Sequence, residues 1–356
     1  MPLSSAEILI VRPGATGNRQ GGDEVMYRKL LPYLAKEWRT EVLELEPVGT
    51  FRKFANLLTI TPPECTRFLS GANRRRVAGA LATRDYAVVV LINEVTFPML
   101  SVAKRAGVPV VLISQNMHSL VAESDPGRLA NAMRPIALAF ERRFYADPAA
   151  RLVCISRLDA QALTRGTGRT DITLAPPGPP PAEPLAANAP VLSEVVITGS
   201  YDWWRKRRDL ATFAEGRELG VPVYASDPQA RAILKGNTSE LVETTDFWSR
   251  GLRFGLITDK FQGGFKLKSL EYIAKNCIVL SMSDITLEFS GIPYSEEFIR
   301  IAHNNEEVAA IIKAMTSDDQ TSLIARYLVF KEACLKHFAW ANSLSPVGDT
   351  IRAAIQ

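Results

Sequence analysis

Twelve consecutive residues, Gly263-Gly264-Phe265-Lys266-Leu267-Lys268-Ser269-Leu270-Glu271-Tyr272-Ile273-Ala274, place a glycine pair, two lysines and one carboxylate around a helix start. A helix N-terminus leaves backbone N–H groups unpaired and carries a partial positive charge, so two ammonium groups beside it make a turn suited to a diphosphate. A carboxylate one turn further in faces the same mouth and can accept two O–H donors, which a ribose offers. The spacing opens this short helix near Phe265. Leu252 to Thr258 upstream and Cys277 to Ser281 downstream are apolar, β-branched runs of the kind buried strands need, so the twelve residues form the loop and helix of a β-loop-α-β unit. An amphipathic helix with solvated lysines shares this composition, but it does not require the glycine loop and flanking strands.

A second constellation is Gly199-Ser200-Tyr201-Asp202-Trp203-Trp204-Arg205-Lys206-Arg207-Arg208, directly after a strand over Glu194 to Thr198. Gly199 and Ser200 allow close approach of backbone to a ligand. One cation is needed to neutralise charge building on a leaving phosphate; Lys206 is the first choice, with Arg205 and Arg207 as rivals. At least one of Trp203 and Trp204 is expected to pack in the core.

In the first half, the loop Gly14 to Gly22 carries four glycines and ends at Gly21-Gly22, with Asp23 placed to cap the helix that follows. Gln115-Asn116-Met117-His118 follows the strand Val108 to Ile113. Of the three histidines, only His118 falls at a strand tip, where sites form; a lone histidine in a structural role is the plainer alternative. Asp23, Glu24, Glu94, Glu123 and Asp125 are unranked candidates for a general base. Ser156, after Val153-Cys154-Ile155, reads as a structural or minor polar residue.

These groups are positioned by alternating strands and helices. Glu7 to Val11, Thr40 to Leu45, Ala87 to Ile92, Val108 to Ile113 and Arg151 to Ile155 read as strands, several near-continuously apolar, as in parallel sheets covered on both faces. Asp23 to Trp38, Thr96 to Ala106 and Gly127 to Asp147 read as helices. The proline-rich stretch from Ala175 to Pro190 can neither continue a helix nor join a ladder and marks a semi-rigid linker. Beyond it come the strand Glu194 to Thr198, a helix from Arg205 to Leu219, the strand Val221 to Ala225 and a helical close from Leu323 to Ile355. The domain reading is therefore 1–175, linker 176–190, second domain 191–330, and a terminal helical segment 331–356 packing back on the first domain.

At 356 residues, with 47% hydrophobic and 22% charged residues, the chain has globular composition and room for two cores. No apolar run is long enough to span a bilayer, and Met1-Pro2-Leu3-Ser4-Ser5 lacks a signal-peptide layout, so a cytoplasmic location is expected. Cys65, Cys154, Cys277 and Cys334 are too scattered for a disulfide framework or zinc site and read as buried small residues. A formal charge of +4 points to small anionic partners or a membrane surface rather than nucleic acid. Between residues 50 and 80, Phe51, Phe54, Leu57 and Phe68 alternate with Arg52, Lys53, Arg67 and Arg74 to Arg76, a mixture that suits peripheral contact with anionic lipid on the inner face of the cell membrane; an ordinary helical pair with a basic outer face fits equally.

Two α/β halves, each with a glycine loop after its first strand, resemble the GT-B fold of nucleotide-sugar glycosyltransferases, and Gly264, Phe265, Leu267, Leu270, Glu271 and Ala274 resemble the signature Glu-Gly-Phe-Gly-Leu-x-x-x-Glu-Ala-x-Ala of the retaining family-four type. The resemblance implies an α/β chain of two doubly wound Rossmann-like domains facing a central cleft. It implies donor binding by Gly199, Ser200, Lys206, Gly264, Lys266, Leu267, Lys268 and Glu271, with the amides of Leu267 and Lys268 on the diphosphate and Glu271 on the ribose. Gly21 and Gly22 would lie on the acceptor or sugar side, and His118 and Asp23 would be the catalytic pair. Gly263 stands where the signature has its first glutamate and Lys266 where it has glycine, which leaves the sugar and the stereochemical course open. The implied activity is transfer of a sugar from a nucleoside-diphosphate sugar, a co-substrate, to a hydroxyl of a glycan or lipid-linked glycan precursor. No metal and no bound cofactor are implied. An inverting transferase with a carboxylate base in the first domain, a nucleotide-sugar isomerase or epimerase, and a non-catalytic sugar-nucleotide or glycolipid binder are the rivals.

Overall fold

A computed structural model describes residues 6–14, 22–49, 53, 56, 61–63, 65–125, 128–216, 218–235 and 238–356. They group into two compact units: Met1–Pro177 with Gly263–Phe265 and Trp340–Gln356, and Gly178–Gln262 with Lys266–Ala339.

The first unit runs β1 (Glu7–Pro13), α1 (Gly22–Leu34), β2 (Arg39–Leu45), α2 (Gly71–Thr83), β3 (Tyr86–Ile92), α3 (Leu100–Arg105), β4 (Val110–Ser114), α4 (His118–Ser124), α5 (Arg128–Tyr145), β5 (Ala150–Cys154), α6 (Arg157–Thr167) and β6 (Ile172–Leu174). Its six strands are parallel, in the order β2-β1-β3-β4-β5-β6. Side chains alternate between faces along a strand, and both faces are used. Ile8, Ile10, Val88 and Val90 pack with Leu30, Leu34, Val347 and Ile351 on one side. Leu9, Val11, Val89 and Leu91 pack with Val77, Val102, Phe140 and Leu163 on the other. The continuous apolar runs follow from this double burial.

The second unit runs β7 (Val191–Ile197), α7 (Trp204–Ala214), β8 (Val223–Ala225), α8 (Pro228–Leu234), β9 (Thr238–Glu240), α9 (Thr245–Ser249), β10 (Leu252–Ile257), α10 (Leu267–Ala274), β11 (Cys277–Ser281), α11 (Ser295–Phe298), β12 (Ile299–Ile301), α12 (Asn305–Thr316) and α13 (Gln320–His337). Its parallel sheet has the order β12-β11-β10-β7-β8-β9, which reverses direction between β7 and β10. In an open α/β sheet the ligand crevice lies beyond the C-terminal ends of the strands at such a reversal. α14 (Trp340–Ile355) closes the chain and is grouped with the first unit.

Several boundaries depart from the sequence reading. The stretch from Thr96 is a 3-10 turn over Glu94–Met99 before α3, because Pro98 supplies no N–H to an α-helix there. α7 ends at Ala214 rather than Leu219, just ahead of Gly216. The closing helix is two helices, broken at Phe338–Ala339 where Phe338 turns its ring onto Phe289 at 5.4 Å. α1 begins at Gly22, so Asp23 lies within it and not at its cap. The proline-rich stretch is tied down through its backbone groups: Glu183 donates its N–H to Ala274 O at 2.9 Å, and the Asn276 side-chain amide donates to Pro184 O at 2.8 Å. All four cysteines are buried and unpaired with one another.

Candidate functional site

At the reversal in the second sheet, a single side chain joins the strands to the helix that follows. Tyr272 of α10 accepts the Thr198 N–H at 2.9 Å and donates to Leu256 O at 3.1 Å, so one buried hydroxyl bridges the ends of β7 and β10. Gly255 makes room for its ring: a Cβ there would fall 2.2 Å from Tyr272 Cγ. With Tyr272 sunk into the sheet, α10 opens at the strand tips, at Leu267 rather than at Phe265 as the spacing suggested. The extra loop residues let Gly263 and Gly264 adopt φ of +101° and +68°, conformations that suit glycine.

No side chain caps α10 or α7, whose first flanking residues are Lys266 and Trp203; the four-residue α11 also lacks one. By contrast α8, α9, α12 and α13 begin on Asp227, Thr244, Asn304 and Asp319, each accepting a backbone N–H. An uncapped start presents its donors to an outside acceptor.

Three lysines gather here. Lys268 lies across Gly199, where a Cβ would meet Lys268 Cε at 2.6 Å, and its ammonium stands 4.5 Å from the centre of the Tyr201 ring and 3.4 Å from Tyr201 Oη. Lys266 Nζ lies 3.8 Å from the centre of the Phe261 ring. Lys206 Nζ is 4.0 Å from Asp259 Oδ2. The rivals of Lys206 are otherwise committed: Arg207 donates to Tyr201 O and Asp202 O, while Arg205 stacks on Trp203 and Trp204. Trp203 packs edge-on against Phe261, and Trp204 stays 47% exposed. Burial would raise the Asp259 pKa, but Lys206, Lys268 and Lys266 outweigh it and hold the carboxyl below its ordinary range. Burial pulls Lys268 below the usual lysine range, with Asp259 and Glu271 opposing. Glu271, half-buried one turn into α10, pairs with Lys275 at 2.9 Å, and Lys275 also pairs with Glu243. Ser200 sits between Gly199 and Tyr201, its hydroxyl accepting the Asp202 N–H at 3.2 Å.

The remaining sequence candidates belong to the first unit. Gly264 donates its N–H to the buried Asp159 at 2.9 and 3.2 Å, and a Cβ on it would fall 2.4 Å from Asn116 Oδ1. Ser156 caps α6 by accepting the Asp159 N–H at 3.1 Å. His118 opens α4, with Nε2 3.4 Å from Cys65 Sγ. The turn that carries it hangs on two buried carboxylates. Glu94 Oε1 accepts the Ser114 hydroxyl at 2.9 Å, the Asn116 N–H at 2.8 Å and the Gln115 N–H; Glu141 accepts the Ser119 N–H at 2.8 Å. Burial pushes both carboxyls above their ordinary range, opposed in each case by hydrogen bonds from the turn and by His118. Gly22 and Asp23 start α1, while Gly21 lies outside the described residues, as does most of the apolar-basic segment between 50 and 60. Arg74, Arg75 and Arg76 stand exposed on α2, with Arg76 paired to Glu46 at 3.0 Å.

Sequence reasoning missed Asp259, Tyr201, Asp159 and Glu141. Asp259 carried one usable signal, its place two residues past a strand end; the others act through contacts distant in sequence.

Among solved structures, the chain is similar to sucrose-phosphate synthase from Thermosynechococcus elongatus, with a TM-score of 0.69 at 15% identity over 98% of each chain. It is similar to an alpha,alpha-trehalose-phosphate synthase (UDP-forming) from Burkholderia vietnamiensis, with a TM-score of 0.63 at 13% identity over 99% of this chain and 97% of that one. The fold is GT-B. A third GT-B structure, UGT2 of Phytolacca americana with UDP-2fluoro-glucose and pterostilbene, aligns over 99% of this chain and all of that one, with a TM-score of 0.57 at 12% identity. No protein-family model matches the sequence, and no curated protein matches it. Within this GT-B frame the lysine cluster lies at the point of the second sheet where strand order reverses.

Proposed function

We propose that the chain is a metal-independent glycosyltransferase that moves a sugar from a nucleoside-diphosphate sugar to a hydroxyl of a glycan or lipid-linked glycan precursor, with retention at the sugar carbon. One observation carries the reading: Lys206, Lys266 and Lys268 converge beside two uncapped helix starts, around the buried Asp259. At 4 Å and an effective dielectric of about 20, each ammonium is worth about 4 kcal/mol to a phosphate charge, against about 0.5–1 kcal/mol for a helix start. The lysines therefore set the affinity, and the amides of Leu267 and Lys268 set the direction of approach. The same lysines meet the charge that develops on the diphosphate as it leaves. Glu271 takes the ribose hydroxyls by turning from Lys275.

The solved relatives named above are synthases of sugar phosphates and a protein holding a UDP-sugar, which supports a sugar-nucleotide donor. Retention is preferred on the resemblance to the retaining family-four signature, and three of the five carboxylates that could serve an inverting reaction as base are already engaged: Glu94 with the 115–118 turn, Glu24 with Arg12 and Arg28, and Glu123 with Arg134. The acceptor is assigned to the first unit, with Gly22 and the turn carrying His118 on the sugar side and the exposed arginines of α2 resting on anionic lipid at the cytoplasmic face.

The test is incubation with UDP-, GDP- and ADP-sugars and a membrane lipid extract, following nucleoside diphosphate release and the anomeric configuration of the product. Acceptor-dependent release is expected, with Lys268→Ala lowering nucleoside-diphosphate affinity about 100-fold, roughly 2.7 kcal/mol. Unchanged affinity in Lys268→Ala and Lys206→Ala would remove the assignment. Donor consumed without acceptor and returned as an isomer would replace it with the isomerase reading.

A further inference from the structure

The lysine cluster contains one group that anion binding does not explain. Asp259 is 3% exposed, stands two residues past the end of β10, and lies beside Lys206, Lys266 and Lys268. At about 4 Å it opposes a phosphate as strongly as one lysine attracts it. Were it kept only to steady the lysines, they would hydrogen-bond it, yet Lys206 Nζ stops at 4.0 Å from Oδ2, beyond hydrogen-bond reach. Its other oxygen, Oδ1, is buried with no hydrogen-bond partner among the described residues. A buried ionised acceptor without a donor is costly, and the cost is offset only if a donor arrives from outside the chain.

Two further atoms point the same way. Thr198 Oγ1, one residue past β7, and Ser283 Oγ, two residues past β11, are also buried without partners among the described residues. β7, β10 and β11 are consecutive in the sheet, so the three atoms sit at the ends of neighbouring strands. A carboxylate flanked by two hydroxyls suits a group rich in O–H donors and repels a phosphate. A sugar, with hydroxyls on neighbouring carbons, can meet the carboxylate and both hydroxyls together. Lys206, half-buried and only loosely paired, can turn toward a phosphate oxygen as the ligand enters, which uncovers the carboxylate.

We propose that Asp259 is a specificity-determining residue that accepts a hydrogen bond from a hydroxyl of the transferred sugar. This rests on the reading of the second unit as the donor site and adds the group that distinguishes a sugar nucleotide from a bare nucleoside diphosphate.

The experiment is calorimetric titration of the full chain with UDP, GDP and ADP and with their glucose conjugates, for wild type, Asp259→Asn, Asp259→Glu and Thr198→Ala. Wild type is expected to bind one conjugate more tightly than its bare diphosphate. Asp259→Asn is expected to lose that increment, about 10- to 100-fold on the conjugate, while the bare diphosphate binds as before or more tightly. Thr198→Ala, a milder change that keeps the fold if Asp259→Asn does not, is expected to lose a smaller part of the increment. A parallel loss for conjugate and diphosphate, rescued by Asp259→Glu, would make Asp259 a positioning group for the lysines and overturn the proposal while leaving the donor site in place. An unchanged increment would also overturn it. Wild type binding none of the six ligands would overturn the donor site itself.

Discussion

The two sheets present opposite chemistry beyond the C-terminal ends of their central strands. Beyond β7 and β10 the second unit gathers three lysines around Asp259 and leaves two helix starts uncapped. Beyond β3 and β4 the first unit buries Glu94, saturates one of its oxygens with three donors, and braces the same turn with Glu141. Both units use one topological idea, a parallel sheet covered on both faces, but among the described residues it is the second that sets three lysines beside uncapped helix starts at the strand tips. The first commits Glu94 and Glu141 internally, to the turn carrying His118. In the second unit the reversal of strand order and the free hydrogen-bond groups at the strand tips mark the same place.

Removing the internal anchor puts this contrast under the greatest stress. Glu94→Ala strands the Gln115 and Asn116 N–H groups and one of the two partners of the Ser114 hydroxyl, whose other contact is Tyr145 at 2.7 Å. Stability is expected to fall by about 3–5 kcal/mol in denaturant unfolding, with nucleoside-diphosphate affinity of the folded protein unchanged. Lys268→Ala should show the reverse pattern, lost affinity with little lost stability. If both variants lose stability and affinity together, the division of labour is wrong.

A smaller effect is expected at Gly199. Its φ is +81°, and a Cβ added there would come within 2.6 Å of Lys268 Cε, so Gly199→Ala strains the backbone by about 1–2 kcal/mol and pushes the lysine aside. Diphosphate affinity should drop about tenfold by calorimetry, and Gly199→Ala added to Lys268→Ala should cost little more, since the two act on one contact. Full additivity would mean that the glycine serves the ligand directly.

Much of this was legible in the sequence for a physical reason. Alternating burial on two faces demands apolar runs, so β1, β3, β4, β10 and β11 announced themselves, and the glycine-lysine turn before α10 stood out because few other needs bring those residue types together. Lys206 could be ranked above its arginine neighbours but not separated from them, because the separation depends on Arg207 reaching back to Tyr201 O and on Arg205 stacking on two tryptophans. Glu141 was illegible and Asp259 showed only its place past a strand end, because each matters through groups far along the chain on other elements, such as Ser119 and Lys206. The break at Phe338–Ala339 had no glycine or proline to mark it, being set by where Phe338 finds Phe289. Tyr272 acts through the space that Gly255 leaves on another element, a pairing the sequence does not mark.

The finest distinction between the two regions is in pH. Burial disfavours the charged form in both, but the groups have opposite sign. Glu94 has its folded pKa raised, so between the ordinary glutamate value and the folded value the native state holds more protons than the unfolded chain. Its contribution is fully present at low pH and is lost as pH rises through the folded value. Lys268 has its folded pKa lowered, so between the folded value and the ordinary lysine value the unfolded chain holds more protons, and stability from this group rises with pH while anion binding falls. Denaturant unfolding at stepped pH should therefore show an acid-side slope that Glu94→Gln reduces, leaving the share of Glu141, and an alkaline-side slope that Lys268→Met reduces, leaving the share of Lys331, which burial pulls down to about 8. Calorimetric titration over the same alkaline range should show wild-type diphosphate affinity falling at lower pH than an exposed lysine would allow. If affinity holds until the ordinary lysine range, Lys268 is not the cation that grips the ligand, and the contrast between the two sheets loses its second half.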